Sequence, residues 1–159
     1  MRSTAVGIPP FQALLDEHRG DVYRFLVAAV GLNEADDCFQ ETFIAALRAY
    51  PRLRDASNLR SWLLTIAHRK AIDAHRARNR RAIPLERVPE GAAPMQADGE
   101  PALWEAVQEL PSKQRASILH RYVNDLPYSD IGRIVGCSEA AARQNVRAGL
   151  ASLRGAWEQ

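Results

Sequence analysis

Cysteine is scarce in this chain. Cys38 and Cys137 are the only two among 159 residues, and neither has another Cys or a His close by at metal-ligand spacing. Two isolated thiols argue against a disulfide-stapled scaffold and fit a reducing compartment; both read as small buried apolar residues. Long apolar runs are also missing. The most apolar stretch, "FLVAAVGL", is far short of the ~20 residues that span a bilayer. The opening "MRSTAVGIPP" lacks the apolar core of a signal peptide. A cytoplasmic protein without membrane association is therefore expected. There is no glycine-rich phosphate loop, no H-E-x-x-H and no G-x-S-x-G, so the common routes to phosphate, zinc-protease and serine-hydrolase chemistry have no residues to run on. His68 and His75 stand about two helical turns apart, too far for joint metal ligation, and read as surface or minor-groove-facing residues. The expectation is no enzyme, no catalytic residue, no cofactor and no metal.

What is present reads as helix. Hydrophobic residues make up 47% and charged residues 25% of the chain, a balance typical of a folded soluble protein. After Pro9 and Pro10, the residues Phe11, Leu14, Leu15, Val22, Phe25, Leu26 and Ala29 fall on one stripe of period 3.6. Gly31 stops this helix, and Asn33 is a candidate cap for the next, whose stripe is Phe39, Phe43, Ala46, Leu47 and Tyr50 before Pro51. "PRLRDASN" is a loop, and Ser57 or Asn58 caps a third helix with Leu59, Trp62, Leu63, Ile66 and Ile72 inward. No stretch alternates with period two, so no sheet is expected. Residues 84–101, "PLERVPEGAAPMQADGEP", have no helical stripe and carry one basic and four acidic side chains. They read as a flexible acidic linker, with a packed loop as the alternative. The fold class is all-α: a helical domain over 9–83, the linker over 84–101, and a second helical domain over 102–159.

The charge is distributed unevenly. The net charge of +2 singles out no partner, but residues 1–83 carry 13 basic and 9 acidic groups. The end of the third helix, "HRKAIDAHRARNRR" (68–81), holds six Lys or Arg, two His and a single Asp. Arg69, Lys70, Arg76, Arg78, Arg80 and Arg81 cannot share one face. They suit a phosphate backbone, or equally a solvated helix end that favours cations through the helix dipole. Trp62 and Arg60 lie just upstream, an aromatic beside cations that suits unstacked bases, although Trp62 also sits on the core stripe. On the second helix Asp36, Asp37, Gln40 and Glu41 make an acidic exposed face that should repel DNA and meet a protein instead.

The second domain carries the most specific pattern. After short helices with Leu103, Val107 and Leu110, then Ala116, Leu119, Tyr122 and Val123 inward, comes "LPYSDIGRIVGCSEAAARQNVRAGLASLR". Ile131, Ile134 and Val135 mark a short helix, Gly136 and Cys137 a turn, and Ser138 an N-cap for a longer helix with Ala142, Val146, Leu150 and Leu153 inward. This is a helix-turn-helix pattern. It leaves Glu139, Ala140, Arg143, Gln144 and Arg147 facing out, where Arg suits guanine or phosphate and Gln suits adenine.

Taken in order, "EADDCFQETFIAALRAY", "LRSWLLTIAHRKAIDAHRARNRR" and "LPSKQRASILHRYVNDLPYSDIGRIVGCSEAAARQNVRAGLASLR" resemble bacterial RNA polymerase sigma factors of the extracytoplasmic-function (ECF) type. The resemblance runs from about Phe11 to Arg154. It implies a factor that binds core RNA polymerase, recognises promoter DNA and melts it, with a region-two-like domain at the minus-ten element and a region-four-like domain at the minus-thirty-five element. Asp37, Gln40 and Glu41 match the D-x-x-Q-E that docks on polymerase. Trp62, Ala71, Ile72, Asp73 and Arg76 match the minus-ten helix, to which Arg60, Arg69, Lys70 and Arg80 add basic groups. The loop from Arg52 to Asn58 sits where relatives hold a flipped base. Ser138, Glu139 and Arg143, with Gln144 and Arg147, stand at the start of the recognition helix.

The chain departs from the pattern at Arg69, where relatives commonly have Asn, and at Ala141, Asn145 and Ala148, which replace a hydroxyl and two basic groups. Base preference therefore does not transfer from the family. Asp73 either pairs with Arg76 at i,i+3 or accepts from a base edge. Control by a separate anti-sigma factor or by expression level is the default expectation. The alternative to an initiation factor is a sigma-like decoy that binds a partner protein without starting transcription.

Overall fold

A computed structural model describes residues 8–81 and 101–158. The expected linker lies outside the described residues except for Pro101, which opens a helix. The regular elements among them are all helical: α1 Phe11–Val30, α2 Leu32–Ala49, a short 3-10 turn Tyr50–Arg52, α3 Leu59–Arg81, α4 Pro101–Glu109, α5 Ser112–Tyr122, α6 Tyr128–Val135 and α7 Glu139–Trp157.

Helices α1, α2 and α3 pack mutually, and α5, α6 and α7 do the same. The two groups share one core. Val22, Phe25 and Leu26 of α1 join Leu63, Leu64 and Ala67 of α3 and Leu119, Leu126, Ile131 and Ala142 of the second domain in a single buried cluster. Each large side chain removed from water here is worth roughly 1.5–3 kcal/mol. The end of α1, from Phe25 to Val30, is buried on every side. A helix segment apolar all round belongs inside a core, and α1 meets α2 and α3 in its own domain and α5 from the other. Gln108 adds a bond across the seam, its Nε2 donating to the Ala28 carbonyl at 2.7 Å.

Several sequence expectations shift for physical reasons. α2 starts at Leu32 directly after Gly31, whose carbonyl accepts from Ala35 N at 3.0 Å, so the cap position is Gly31 and Asn33 lies in the first turn. Leu47, expected inward, is 54% exposed beside Ile44 at 49%, because no described element covers that side of α2. Tyr122 is likewise 60% exposed. On α3 the buried residues are Ser61, Leu63, Leu64, Ala67, His68 and Ala71, with Leu59, Trp62, Ile66 and Ile72 only half-buried. A helix touched by α1 and α2 on one hand and α6 on the other follows no single stripe.

The caps of α3 and α7 are local and hold. Asn58 Oδ1 accepts from Ser61 N at 3.1 Å to start α3, and Ser138 Oγ accepts from Ala141 N at 3.0 Å to start α7. The turn between α6 and α7 depends on two glycines. Gly136 takes φ of +83°, a conformation costly to residues with a Cβ, and a Cβ at Gly132 would come within 2.6 Å of the Cys137 carbonyl oxygen.

Candidate nucleic-acid interface

Helix α2 presents Asp37, Gln40 and Glu41 to solvent, and the exposed Ile44 and Leu47 continue that face along the helix. Asp36 beside them is engaged, since Tyr23 Oη donates to its Oδ1 at 3.1 Å. This hydrogen bond is the main reason the Tyr23 hydroxyl titrates above its ordinary value. On the opposite side of α2, Cys38 is buried, and burial together with Glu34 and Glu41 pushes its thiol up to about 11, which leaves it unreactive.

Helix α3 separates its cations by role. Arg69, Arg76 and Arg80 are exposed, as is Asp73; Lys70 is half-buried. No ion pair joins Asp73 to Arg76 among the described residues. Arg78 is exposed too but engaged: its Nε and Nη2 grip Glu34 Oε1 at 2.9 and 2.6 Å, and Nη2 also reaches the Val30 carbonyl at 3.1 Å, capping the end of α1. This member of the basic run therefore serves the fold.

Between the loop after α2 and the start of α3 lies a groove of about 690 Å³, walled by Arg52, Arg54, Asp55, Asn58, Trp62 and, from the second domain, Arg133. It is an open groove rather than an enclosed cavity. Asp55 accepts from Ser57 N at 2.9 Å, and these bonds to Ser57 hold its carboxyl below the usual value, with Arg133 adding to the effect. Trp62 is half-buried on the groove wall and lies 6.1 Å from the Tyr50 ring.

On α7, Ser138, Glu139, Arg143, Gln144 and Arg147 are all exposed on the outer side. Arg143 sits 3.5 Å from Glu139 and over the ring of Tyr128, 5.0 Å from its centroid; Arg121 lies over the same ring at 4.5 Å. The Ser138 oxygen caps the helix, leaving its O–H able to donate outward.

The partners that the sequence did not reveal lie mostly where the domains meet. Arg60 has partners inside the protein: its Nε donates to Asp21 Oδ2 at 2.9 Å and its Nη2 to the Asn124 carbonyl. Asn58 Nδ2 donates to Asp130 Oδ1 at 3.2 Å. His68, read as a surface residue, is buried, and burial lowers it to about 4, with Arg69 adding a smaller push. Trp62, Asn58 and Arg60 thus stand together at one end of α3, beside α6. Tyr128, gripped by two arginines, could have been suspected from "YSDIGRIV" only by knowing which helices meet. Among the described residues no group of three His, Cys, Asp or Glu could hold a metal ion, and no helix is long and apolar enough to cross a membrane.

Comparison with known proteins agrees with the all-helical fold. Residues 14–81 match the family model described as Sigma-70 region 2, and residues 101–153 match Sigma-70, region 4. The ECF RNA polymerase sigma factor SigD of Mycobacterium tuberculosis is 37% identical over 145 residues, spanning 82% of this chain and 68% of that protein. SigX of Bacillus subtilis is 27% identical over 164 residues, spanning 91% and 81%. The fold matches the sigma factor RpoE in its complex with the anti-sigma factor NepR from Bartonella quintana, with a TM-score of 0.74, 20% identity and coverage of 93% of this chain and 96% of that one. It also matches CnrH in complex with the cytosolic domain of CnrY, with a TM-score of 0.71, 20% identity and coverage of 93% and 87%. With both regions matched in the expected order and a 37% identical relative covered over two thirds of its length, this chain belongs to the ECF family of RNA polymerase sigma factors.

Proposed function

We propose that this chain binds core RNA polymerase in the cytoplasm and directs it to promoters, using three separate surfaces and no catalysis of its own. The acidic face of α2, with Asp37, Gln40 and Glu41, docks on polymerase. The outer side of α3, with Arg69, Lys70, Asp73, Arg76 and Arg80, follows the minus-ten DNA as its strands part, while Trp62 and the adjoining groove receive an unstacked base. Arg60 joins that surface only once the second domain releases it. The outer side of α7, with Ser138, Glu139, Arg143, Gln144 and Arg147, enters the major groove at the minus-thirty-five element.

The observation that carries this reading is the exposure of Asp37, Gln40 and Glu41 on α2 and of Arg143, Gln144 and Arg147 on α7, in a chain of this family. A protein that carries an acidic face and a basic reading helix on different domains is suited to hold polymerase and duplex DNA at once. An anti-sigma factor is the natural further partner, since two solved structures that share the fold are complexes with NepR and with the cytosolic domain of CnrY. The relatives give no support to a decoy. Run-off transcription with purified core polymerase on a library of genomic fragments tests the proposal: promoter-specific transcripts are expected, and binding to polymerase without any transcript would overturn it.

A further inference from the structure

Three of the chain's four histidines meet where the two domains touch. His120 on α5 is fully buried, its ring stacked on Phe25 of α1 with centroids 4.2 Å apart and planes at 15°. His68 of α3 faces it at 5.7 Å between centroids. His75, two turns along α3, holds the Ala29 carbonyl at 2.7 Å and shares a small cavity with His68 and with Arg115 of α5. Neither ring nitrogen of His120 has a hydrogen-bond partner among the described residues, and the same holds for the side-chain polar atoms of Ser117 on α5 and of Asn124 just beyond it. The seam thus buries polar groups that no other described residue pairs.

We propose that this seam is a proton-operated latch: the neutral imidazoles of His68, His75 and His120 hold α5 against α1 and α3, and protonation parts the domains. The charged groups around the seam offer little to receive a proton's charge. On α3 these are His68, with Arg69 beside it, His75 and Arg60; on α5 they are Arg115 and Arg121, and on α6 Asp130 and Arg133. The carboxylate of α1 at this end, Asp21, is already held by Arg24 and Arg60, Glu34 beside His75 is held by Arg78, and Asp130 is held by Asn58. A proton on His120 would therefore sit unpaired in an apolar stack, next to another histidine.

Burial keeps all three imidazoles below their ordinary value, His120 the most deeply buried of them. The closed form thus binds fewer protons than the open form. Closure is at full strength above the ordinary histidine value of about 6.5 and is lost as pH falls below it. The closed-to-open ratio drops about tenfold per pH unit for each imidazole that titrates. Opening also frees Arg60, Asn58 and the groove at Trp62, a consequence that rests on the promoter reading above.

Small-angle scattering of the full chain, with far-UV circular dichroism alongside, should follow the latch between about pH 8 and pH 5. The expected result is a compact particle at the upper end that expands below about pH 6.5 with helicity unchanged. The variant His120→Phe, which keeps the stack on Phe25, should stay compact to lower pH, and His120→Leu serves if the first does not fold. A wild-type particle already extended at neutral pH, expansion that coincides with loss of helix, or variants that open at the wild-type pH would each overturn the latch. If neither variant folds, histidine NMR on the wild type decides: a compact protein whose His120 titrates at the ordinary value overturns the proposal, and a depressed value supports it. Transcription at neutral pH bears only on the promoter reading, so the two can fail separately.

Discussion

Arg60, on the first turn of α3, donates to the backbone carbonyl of Asn124, just beyond α5 in the other domain. Its Nε is anchored at the same time by Asp21 of α1 at 2.9 Å. A guanidinium can serve both because its donors form a rigid fork, which an ammonium lacks. Arg60→Lys should therefore loosen the domains and lower stability by about 1–2 kcal/mol. Urea unfolding of the full chain measures this, and an unchanged midpoint would show that the bridge carries no energy.

The exposed face of α2 predicts a binding defect without a folding defect. Replacing Gln40 and Glu41 together by Lys reverses its charge and should weaken core polymerase binding by more than an order of magnitude. Both side chains are solvent-accessible, so thermal stability should stay within about 0.5 kcal/mol of the wild type. Titration of labelled protein against core enzyme is the measurement, and equal affinity would remove this face from the docking surface.

The basic residues should separate into three classes. Arg76→Ala with Arg80→Ala should impair open-complex formation, and a template with a pre-melted minus-ten region should rescue much of that defect. Arg143→Ala with Arg147→Ala should reduce protection of the upstream duplex on either template, lowering the salt slope by about 0.9 for each phosphate that the variant no longer neutralises. Arg78→Ala should instead cost about 1 kcal/mol of stability, because that side chain pairs with Glu34 and caps the end of α1. Footprinting on both templates, together with thermal melts, would show the three classes; identical behaviour of all variants would contradict the division.

Two glycines of the second domain should respond oppositely to a methyl group. At Gly132 the new Cβ meets backbone atoms of Cys137 and Ser138, which cannot swing aside, so Gly132→Ala should cost about 1–3 kcal/mol and disturb upstream DNA binding. At Gly155 nothing lies within 4 Å, so Gly155→Ala should stabilise α7 by up to about 1 kcal/mol. Calorimetry of the two variants gives the signs directly.

Much of the fold was legible because the signals were local. The N-cap at Ser138, the turn at Gly136, the outer positions Arg143, Gln144 and Arg147, and the exposed Asp37, Gln40 and Glu41 follow from capping chemistry and helical period, which need only neighbours in the chain. The same signals misplaced Leu47 and Tyr122, because an apolar residue at helical spacing does not say whether another element arrives to cover it.

By itself, then, the sequence determined an all-α chain with a helix-turn-helix in its second half and an acidic and a basic helix face in its first. Tertiary structure alone decided that Arg78 pairs with Glu34 and the end of α1 while Arg76 and Arg80 make no ion pair among the described residues, that Arg60 and Asn58 are held by the second domain, and that His68 and His120 are buried side by side. The reason is geometric. Periodicity reports the one face of a helix that its own domain buries, whereas α1, α3 and α5 are each covered from a second side by a partner distant in sequence. A neutral histidine on that second side looks, in the sequence, the same as one facing water.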